Sequence, residues 1–245
     1  VIPARYKSRR LPGKPLKQIG DKPMIQWVYE QARQSKALDR ILVATDDQRV
    51  FESVMRFNGE AVMTRDCASG TDRVAEAVRE IEADIIVNIQ GDEPFIQPKA
   101  IDLVAGILIH DPDAPMGTLI KRIFHTDELA SRNTVKVIIN RKGYAVYFSR
   151  SPIPFCRDHP DLSDWVESGL YYKHIGLYSY RKPFLQKISQ MPVSQLENTE
   201  KLEQLRVIDY GYLIKVAETD SETIGVDTPE DLIHANQMVA RGAIK

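Results

Sequence analysis

Five cations crowd one short stretch near the start of the chain: Arg5, Lys7, Arg9, Arg10 and Lys14. Pro12, Gly13 and Pro15 punctuate the stretch, and the apolar pair Val1-Ile2 leads into it. The whole 245-residue chain carries a net charge of −1, so the cluster is a local excess. A loop that leaves a strand end and concentrates cations suits a polyanion such as a triphosphate, because guanidinium and ammonium groups donate directly to phosphate oxygens. Arg5, Arg10 and Lys14 would neutralise that charge, while Gly13 lets backbone N–H groups come close. The competing reading is a solvated cationic loop. Neither Gly-x-x-x-x-Gly-Lys-Ser/Thr nor Gly-x-Gly-x-x-Gly occurs, which excludes a Walker loop and a dinucleotide fingerprint.

Carboxylates supply the complementary chemistry. Gln90-Gly91-Asp92-Glu93-Pro94 follows directly on the most apolar run, Ile85–Ile89. An Asp at the carboxyl end of a buried strand is placed to hold Mg²⁺ against phosphate oxygens, or else to cap the following turn. Glu93 is the weaker ligand candidate, because neighbouring side chains diverge. In Gly225-Val226-Asp227-Thr228-Pro229-Glu230-Asp231, Asp227 is either the N-cap of a last helix or a second hard ligand facing Asp92. Ser69-Gly70-Thr71-Asp72-Arg73 stands at a loop-to-helix transition. Its hydroxyls and amides suit a base or ribose, and Ser69 or Thr71 equally suits an N-cap. No Ser/His/Asp elbow, HExxH or zinc-ligand cluster is present.

These residues need a frame that brings them together. Apolar runs at Val1-Ile2, Ile41–Ala44, Ala61–Met63 and Ile85–Ile89 alternate with helical faces. Those faces are Met24/Val28/Ala32, Val50/Val54/Phe57, Val74/Ala77/Val78/Ile81 and Ile101/Val104/Ala105/Leu108. Strands spaced by helices of this length predict an α/β fold with a mostly parallel sheet. Ligands then sit outside the carboxyl ends of the strands, at Pro3–Lys14, Thr45–Asp47, Thr64–Arg73 and Gln90–Pro94. From about Val135 the pattern changes. Val135–Ile139 and Tyr144–Phe148 predict a hairpin, Pro152, Pro154 and Pro160 an irregular excursion, and Tyr171–Tyr180 an aromatic strand. Leu196–Val207 predicts one charged helix, Leu213–Ala217 a strand, and Thr228-Pro229-Glu230 the start of a final helix.

A hydrophobic content of 43% with 27% charged residues is that of a globular protein with a sizeable core. The near-neutral balance argues against a nucleic-acid binder that works by bulk charge. No run approaches the roughly 18 apolar residues of a membrane span. Cys67 and Cys156 form no CxxC, so free thiols in a reducing cytoplasm are expected. The chain opens inside an apolar run, which predicts that the first strand extends before Val1.

In order along the chain stand Pro3-Ala4-Arg5-Tyr6, Arg10-Leu11-Pro12-Gly13-Lys14-Pro15, Ala44-Thr45-Asp46, Ser69-Gly70-Thr71-Asp72-Arg73 and Asn88-Ile89-Gln90-Gly91-Asp92-Glu93-Pro94. Tyr147-Phe148-Ser149-Arg150, Lys173-His174-Ile175-Gly176, Leu202-Glu203-Gln204-Leu205-Arg206 and Gly225–Asp231 follow. Over essentially its whole length the sequence resembles the 3-deoxy-manno-octulosonate cytidylyltransferases. The early motif is shared with other sugar nucleotidyltransferases, and the later blocks together are far more specific. The resemblance implies a nucleotide-diphospho-sugar transferase, Rossmann-like three-layer fold: one domain over 1–245, in which 135–212 contains the sugar-binding and dimerisation segment of a homodimer. It implies cytidylyl transfer from CTP to 3-deoxy-D-manno-octulosonate (Kdo), giving CMP-Kdo and pyrophosphate with Mg²⁺, for lipopolysaccharide biosynthesis in the cytoplasm. Carried over by position, Arg5, Arg10 and Lys14 hold the triphosphate, and Pro3, Ala4, Ser69, Gly70, Thr71 and Arg73 sit near cytidine. Asp92 and Asp227 bind the metal and, with Arg10 and Lys14, form the catalytic set. Gln90, Arg150, Arg157, His174, Tyr178, Glu203 and Gln204 line the sugar-acid pocket. Lys7 and Arg9 stand where the family usually has small or hydroxyl residues.

The anomeric hydroxyl of the sugar acid would then attack the α-phosphorus, with charge and alignment supplying most of the catalysis. A cytidylyltransferase for 8-amino-Kdo or a sialic acid is the nearest alternative. A GT-A glycosyltransferase would normally carry Asp-x-Asp at the strand end, and a non-catalytic nucleotide sensor would release no pyrophosphate.

Overall fold

Each short apolar run forms a strand that feeds both faces of a sheet, because successive side chains point to opposite sides. The computed structural model describes residues 1–8 and 10–242. Its strands are β1 (Ile2–Pro3), β2 (Gln18–Ile19), β3 (Lys22–Pro23), β4 (Val43–Thr45), β5 (Ala61–Met63), β6 (Ile85–Asn88), β7 (Met116–Arg122), β8 (Lys136–Ile139), β9 (Ala145–Ser149), β10 (Tyr172–Arg181) and β11 (Ile214–Glu218). Its helices are α1 (Met24–Ala32), α2 (Gln48–Arg56), α3 (Gly70–Ala77), α4 (Pro98–His110), α5 (Thr126–Ala130), α6 (Leu162–Glu167), α7 (Lys182–Ile188), α8 (Gln195–Glu200), α9 (Gln204–Asp209) and α10 (Pro229–Ala240).

β5, β4 and β1 pair in parallel. β1 continues onto β6, since the Val1 amino group donates to Val87 O at 2.7 Å and Ile89 N–H to Val1 O at 3.0 Å. β10 then runs antiparallel between β6 and β7, and β11 lies parallel to β7. The sheet is therefore mostly parallel, with β10 the reversed strand. The β8–β9 hairpin hangs from the start of β10. Val87, Ile89 and Leu119 face one core with α1, α2 and α4. Ile86, Met116 and Ile120 face the other with α3, α7 and α9, which makes three layers. A separate small core of Ile123, Leu129, Trp165 and Tyr171 holds α5 and α6 together as a side lobe.

Two features depart from the sequence expectation. β7 was not anticipated, because Met116–Arg122 mixes Gly117, Thr118 and two cations with its apolar residues and shows no clean period. The single helix expected over Leu196–Val207 is two helices, α8 and α9. Lys201 breaks it by taking a left-handed conformation, φ 54°. Leu202 then turns into the core and a new helix starts at Gln204. Arg206 holds the two pieces in place: its Nε and Nη2 both donate to the Glu197 carboxylate at 2.6 Å, a bidentate pair whose side chains are only 7% and 12% exposed.

Glu197→Ala leaves the Arg206 guanidinium buried without its counter-ion, so we expect a stability loss of about 3 kcal/mol or more. A urea midpoint that does not move would contradict this account of the helix break.

Candidate active site

Four charged side chains from three distant parts of the chain meet at the carboxyl ends of β1 and β6. Lys14 Nζ donates to Asp92 Oδ2 at 2.6 Å and to Asp227 Oδ1 at 2.7 Å, and Arg10 pairs with Asp227 Oδ2 at 2.9 Å. Local geometry sets each of them. Gly13 adopts φ +70° and donates its N–H to Tyr6 O, packed so closely on the Tyr6 ring that a Cβ would sit 3.1 Å from it. The chain then turns tightly through Lys14–Leu16, which directs Lys14 inward. Gly91 lets the loop after β6 approach β1: a Cβ there would lie 2.7 Å from Pro3 O. Val226 is fully buried with Leu11, Met24, Trp27 and Phe95, and its N–H donates to Asp92 O at 2.8 Å. Asp227 is thereby locked opposite Asp92.

The capping question at Asp227 is resolved by its neighbours. Thr228 is the N-cap of α10 and forms a reciprocal box with Asp231, whose carboxylate also accepts the Asp227 N–H. The Asp227 carboxylate is thus free for the cations. Asp92 likewise caps no helix: α4 begins after Gln97. Burial works against the charge on Lys14, but Asp92 and the hydrogen bonds from both carboxylates prevail and hold its pKa above the usual lysine value. Glu93 turns away into the core, where burial and the Asp92 charge push it up to about 8, and its Oε2 has no partner among the described residues.

A cavity of about 340 Å³ opens beside this cluster, lined by Pro3, Ala4, Arg5, Lys14, Ser69, Gly70, Arg73, Gln90 and Asp92 among others. Most residues expected at the nucleotide therefore gather around one space. Their side chains are less available than the sequence implied. Ser69 caps α3 by accepting from Asp72 N–H. Arg73 is buried, donating to Thr64 Oγ1 at 2.6 Å and pairing with Asp46 at 3.0 Å. Arg5 donates to Cys67 O. Thr71 Oγ1 donates to Glu203 Oε2 at 2.5 Å, facing another part of the site. Arg9 lies outside the described residues, and Lys7 borders the cavity with its side chain in solvent.

The second group centres on β10. A register shift between Ile175 and Tyr178 bends the strand. Four residues of flat strand span roughly 13 Å, yet the His174 and Tyr178 rings are 5.3 Å apart. Thr118 on β7 spans the bulge with its hydroxyl, which lies 2.9 Å from both Leu177 O and His174 Nε2. Its one hydrogen goes to a carbonyl, so the neutral imidazole donates from Nε2 and keeps Nδ1 as an acceptor. Burial, against Phe148 and Tyr178, holds the His174 pKa down to about 3. Burial and then Glu203 raise the Tyr178 pKa, and its hydroxyl donates to Gln204 Oε1 at 3.4 Å. Gln204 Nε2 is buried without a partner among the described residues. Gln90 reaches Asn88 Oδ1 at 3.5 Å, and Asn88 is the cross-strand neighbour of Tyr178. Gln90, His174, Tyr178, Glu203 and Gln204 thus form one polar neighbourhood.

The two arginines stand apart from it. Arg150 spends its guanidinium on the carbonyls of Glu200 at 2.8 Å and Arg132 at 2.9 Å, capping the end of α8. Its own carbonyl accepts from the buried Lys136, which also donates to Ser131 O and Thr134 O. Arg157 lies exposed in the proline-rich excursion. Sequence reasoning missed Thr118, Asn88 and Asp231, which support the site from beneath. Only Asp231, three residues after a Thr cap, carried a signal that could have been found.

A family model described as cytidylyltransferase matches residues 1–220. The 3-deoxy-manno-octulosonate cytidylyltransferase of Cytophaga hutchinsonii is 50% identical over 236 residues, covering 95% of this chain and 94% of the relative. That of Trichlorobacter lovleyi is 48% identical over 247 residues, covering 99% and 98%. The chain belongs to the 3-deoxy-manno-octulosonate cytidylyltransferase family. A solved CMP:2-keto-3-deoxy-manno-octonic acid synthetase complexed with CTP superposes with a TM-score of 0.91 at 46% identity, covering 98% of this chain and 97% of its own. The 4-diphosphocytidyl-2C-methyl-D-erythritol synthase of Anaerococcus prevotii shares the fold alone, with a TM-score of 0.58 at 14% identity and 98% coverage of both chains.

The His174 shift makes a pH prediction. Its folded pKa lies near 3, below the unfolded value of about 6.5, so the unfolded chain binds the extra proton between those values. Stability should be complete above about pH 6.5 and fall as the pH drops towards 3. His174→Gln should flatten that part of a urea-midpoint-against-pH profile, and an unchanged slope would show that His174 is not the group responsible.

Proposed function

We propose that this protein transfers the cytidylyl group of CTP to Kdo, releasing pyrophosphate and forming the activated sugar for lipopolysaccharide synthesis. The observation that carries the reading is the convergence of Lys14, Arg10, Asp92 and Asp227 at the mouth of a strand-end cavity. The fold of a CTP-complexed synthetase supports the same assignment.

In this reading the anomeric hydroxyl oxygen of Kdo forms a bond to the α-phosphorus, the bond from that phosphorus to the pyrophosphate oxygen breaks, and the hydroxyl proton is released to solvent. Negative charge grows on the leaving pyrophosphate, and Arg10 and Lys14 meet it with fixed cations. Arg5 adds charge at the rim. Backbone groups of Pro3, Ala4 and Gly70 contact the nucleoside, since the Ser69, Thr71 and Arg73 side chains are engaged within the protein. Gln90, His174, Tyr178, Glu203 and Gln204 orient the acceptor sugar by hydrogen bonds. The neutral His174 offers Nδ1 to a hydroxyl. No side chain is assigned as general base.

Asp92 and Asp227 are the candidate holders of Mg²⁺. They fit by donor chemistry: both are hard carboxylates within reach of one ammonium. Among the described residues no set of three or more His, Cys, Asp or Glu gathers as a metal site. That suits an ion that keeps water and substrate oxygens as its other ligands. When bound, Mg²⁺ supplies charge neutralisation and lowers the pKa of a coordinated hydroxyl. Lys14 meanwhile holds the two carboxylates close together.

We further infer a homodimer formed through the 135–212 segment and acting in the cytoplasm. Phe155, Leu170 and Val193 are 77%, 65% and 63% exposed there, a cost in water that a second copy would relieve. Both cysteines are free thiols, which suits a reducing compartment. No helix among the described residues is long and apolar enough to cross a membrane.

A pyrophosphate-release assay tests the reaction. CTP with Kdo should turn over, while UTP and ATP should not. Asp92→Asn and Asp227→Asn should each lower turnover by roughly 10²-fold or more and leave CTP binding much less affected. Near-normal rates at saturating Mg²⁺ in either variant would sink the metal assignment. In sedimentation equilibrium we expect twice the chain mass, shifting towards the monomer in Phe155→Ser/Leu170→Ser.

A further inference from the structure

Thr71 lies in the turn that the family resemblance assigns to cytidine, yet its hydroxyl does not serve that cavity. Its side chain is buried, 3% exposed, and its single O–H hydrogen is donated to Glu203 Oε2 at 2.5 Å. That length is typical of a hydroxyl bonded to an ionised carboxylate. The buried Tyr180 hydroxyl lies within hydrogen-bonding reach of the same Thr71. The bond joins residues 132 positions apart, from the start of α3 to the residue that precedes α9.

Glu203 needs such an anchor. It follows directly on the Lys201 break, at a point where the backbone has just changed direction, and its neighbour Gln204 is fixed by Tyr178. Gln204 Nε2, buried and unpartnered among the described residues, marks this spot as one that a hydroxyl-bearing ligand would complete. With Oε2 held by Thr71, the Glu203 carboxylate cannot rotate freely. We propose that Thr71 is a positioning residue for the acceptor sugar, acting through Glu203, and that its side chain makes no contribution to nucleotide binding. The proposal rests on the reading of Glu203 as a sugar-pocket residue.

Steady-state kinetics with CTP and Kdo, read as pyrophosphate release, separate the two roles. Thr71→Val keeps the shape and removes the hydroxyl. It should raise KM for Kdo about tenfold or more, as expected for loss of a hydrogen bond to a charged group, with KM for CTP held within about twofold. Thr71→Ser should restore the parent values. In the Glu203→Gln background, Thr71→Val should add little further loss, because both changes act on one contact. A rise in KM for CTP without one for Kdo would overturn the proposal. So would unchanged constants, a failure of Thr71→Ser to rescue, or full additivity with Glu203→Gln. A parent protein that releases no pyrophosphate from CTP and Kdo would instead refute the functional reading, and the proposal with it.

Discussion

One ammonium group between two carboxylates is the constraint on which this site depends. Two ionised carboxylates about 4 Å apart repel by roughly 4 kcal/mol at an effective dielectric constant of 20. Lys14, with its side chain only 14% exposed, offsets that repulsion and draws Asp92 and Asp227 to a common point. The surrounding packing serves this meeting. β6 delivers Asp92 at the sheet's centre, and the Val226 cluster delivers Asp227. The Gly13–Tyr6 contact turns Lys14 inwards.

The acceptor side is built by two irregularities. A regular β10 would hold His174 and Tyr178 too far apart to touch, and a continuous helix over Leu196–Val207 would not restart at Gln204. The bulge brings the two rings together, and the left-handed Lys201 breaks the helix so that Glu203 meets Thr71 and Gln204 meets Tyr178. Both departures are costly locally. Thr118 across the bulge and Arg206 across the break hold them in place. These are supports of a site whose directly facing residues are already few.

Much of this frame was legible because its signals were local. The run Ala61–Met63 is a strand with the expected bounds, and the faces of α1 and α4 follow their apolar spacing. β7 was not legible. Its Gly117 is there for close approach: a Cβ would lie 2.6 Å from Ser179 Oγ and 2.9 Å from Ile107, a tertiary requirement that leaves no periodic trace. The site shows the same division. Asp92 and Asp227 were identifiable as candidates, but whether Asp227 caps a helix depended on Thr228 and Asp231 taking that role. Arg150 was expected to line the sugar-acid pocket and is committed to backbone carbonyls, because a free guanidinium and a helix-capping one are written with the same letter.

Unsatisfied polar atoms lie on both halves of the site. On the expected nucleotide side, Ser69, Arg73 and Arg5 bond within the protein, and Arg73 Nη2, although paired with Asp46, is buried without a hydrogen-bond partner among the described residues. On the expected acceptor side, Gln204 Nε2 is buried with no partner among the described residues. Such atoms cost about 1–3 kcal/mol each, and a fold that keeps them gives up stability at that place. A ligand able to bond them recovers part of that cost on binding, and an analogue lacking the matching hydroxyl does not. In the proposed reading, discrimination among acceptors would draw on Gln204 Nε2 beside Tyr178, and the cationic loop contributes charge that any nucleoside triphosphate would accept.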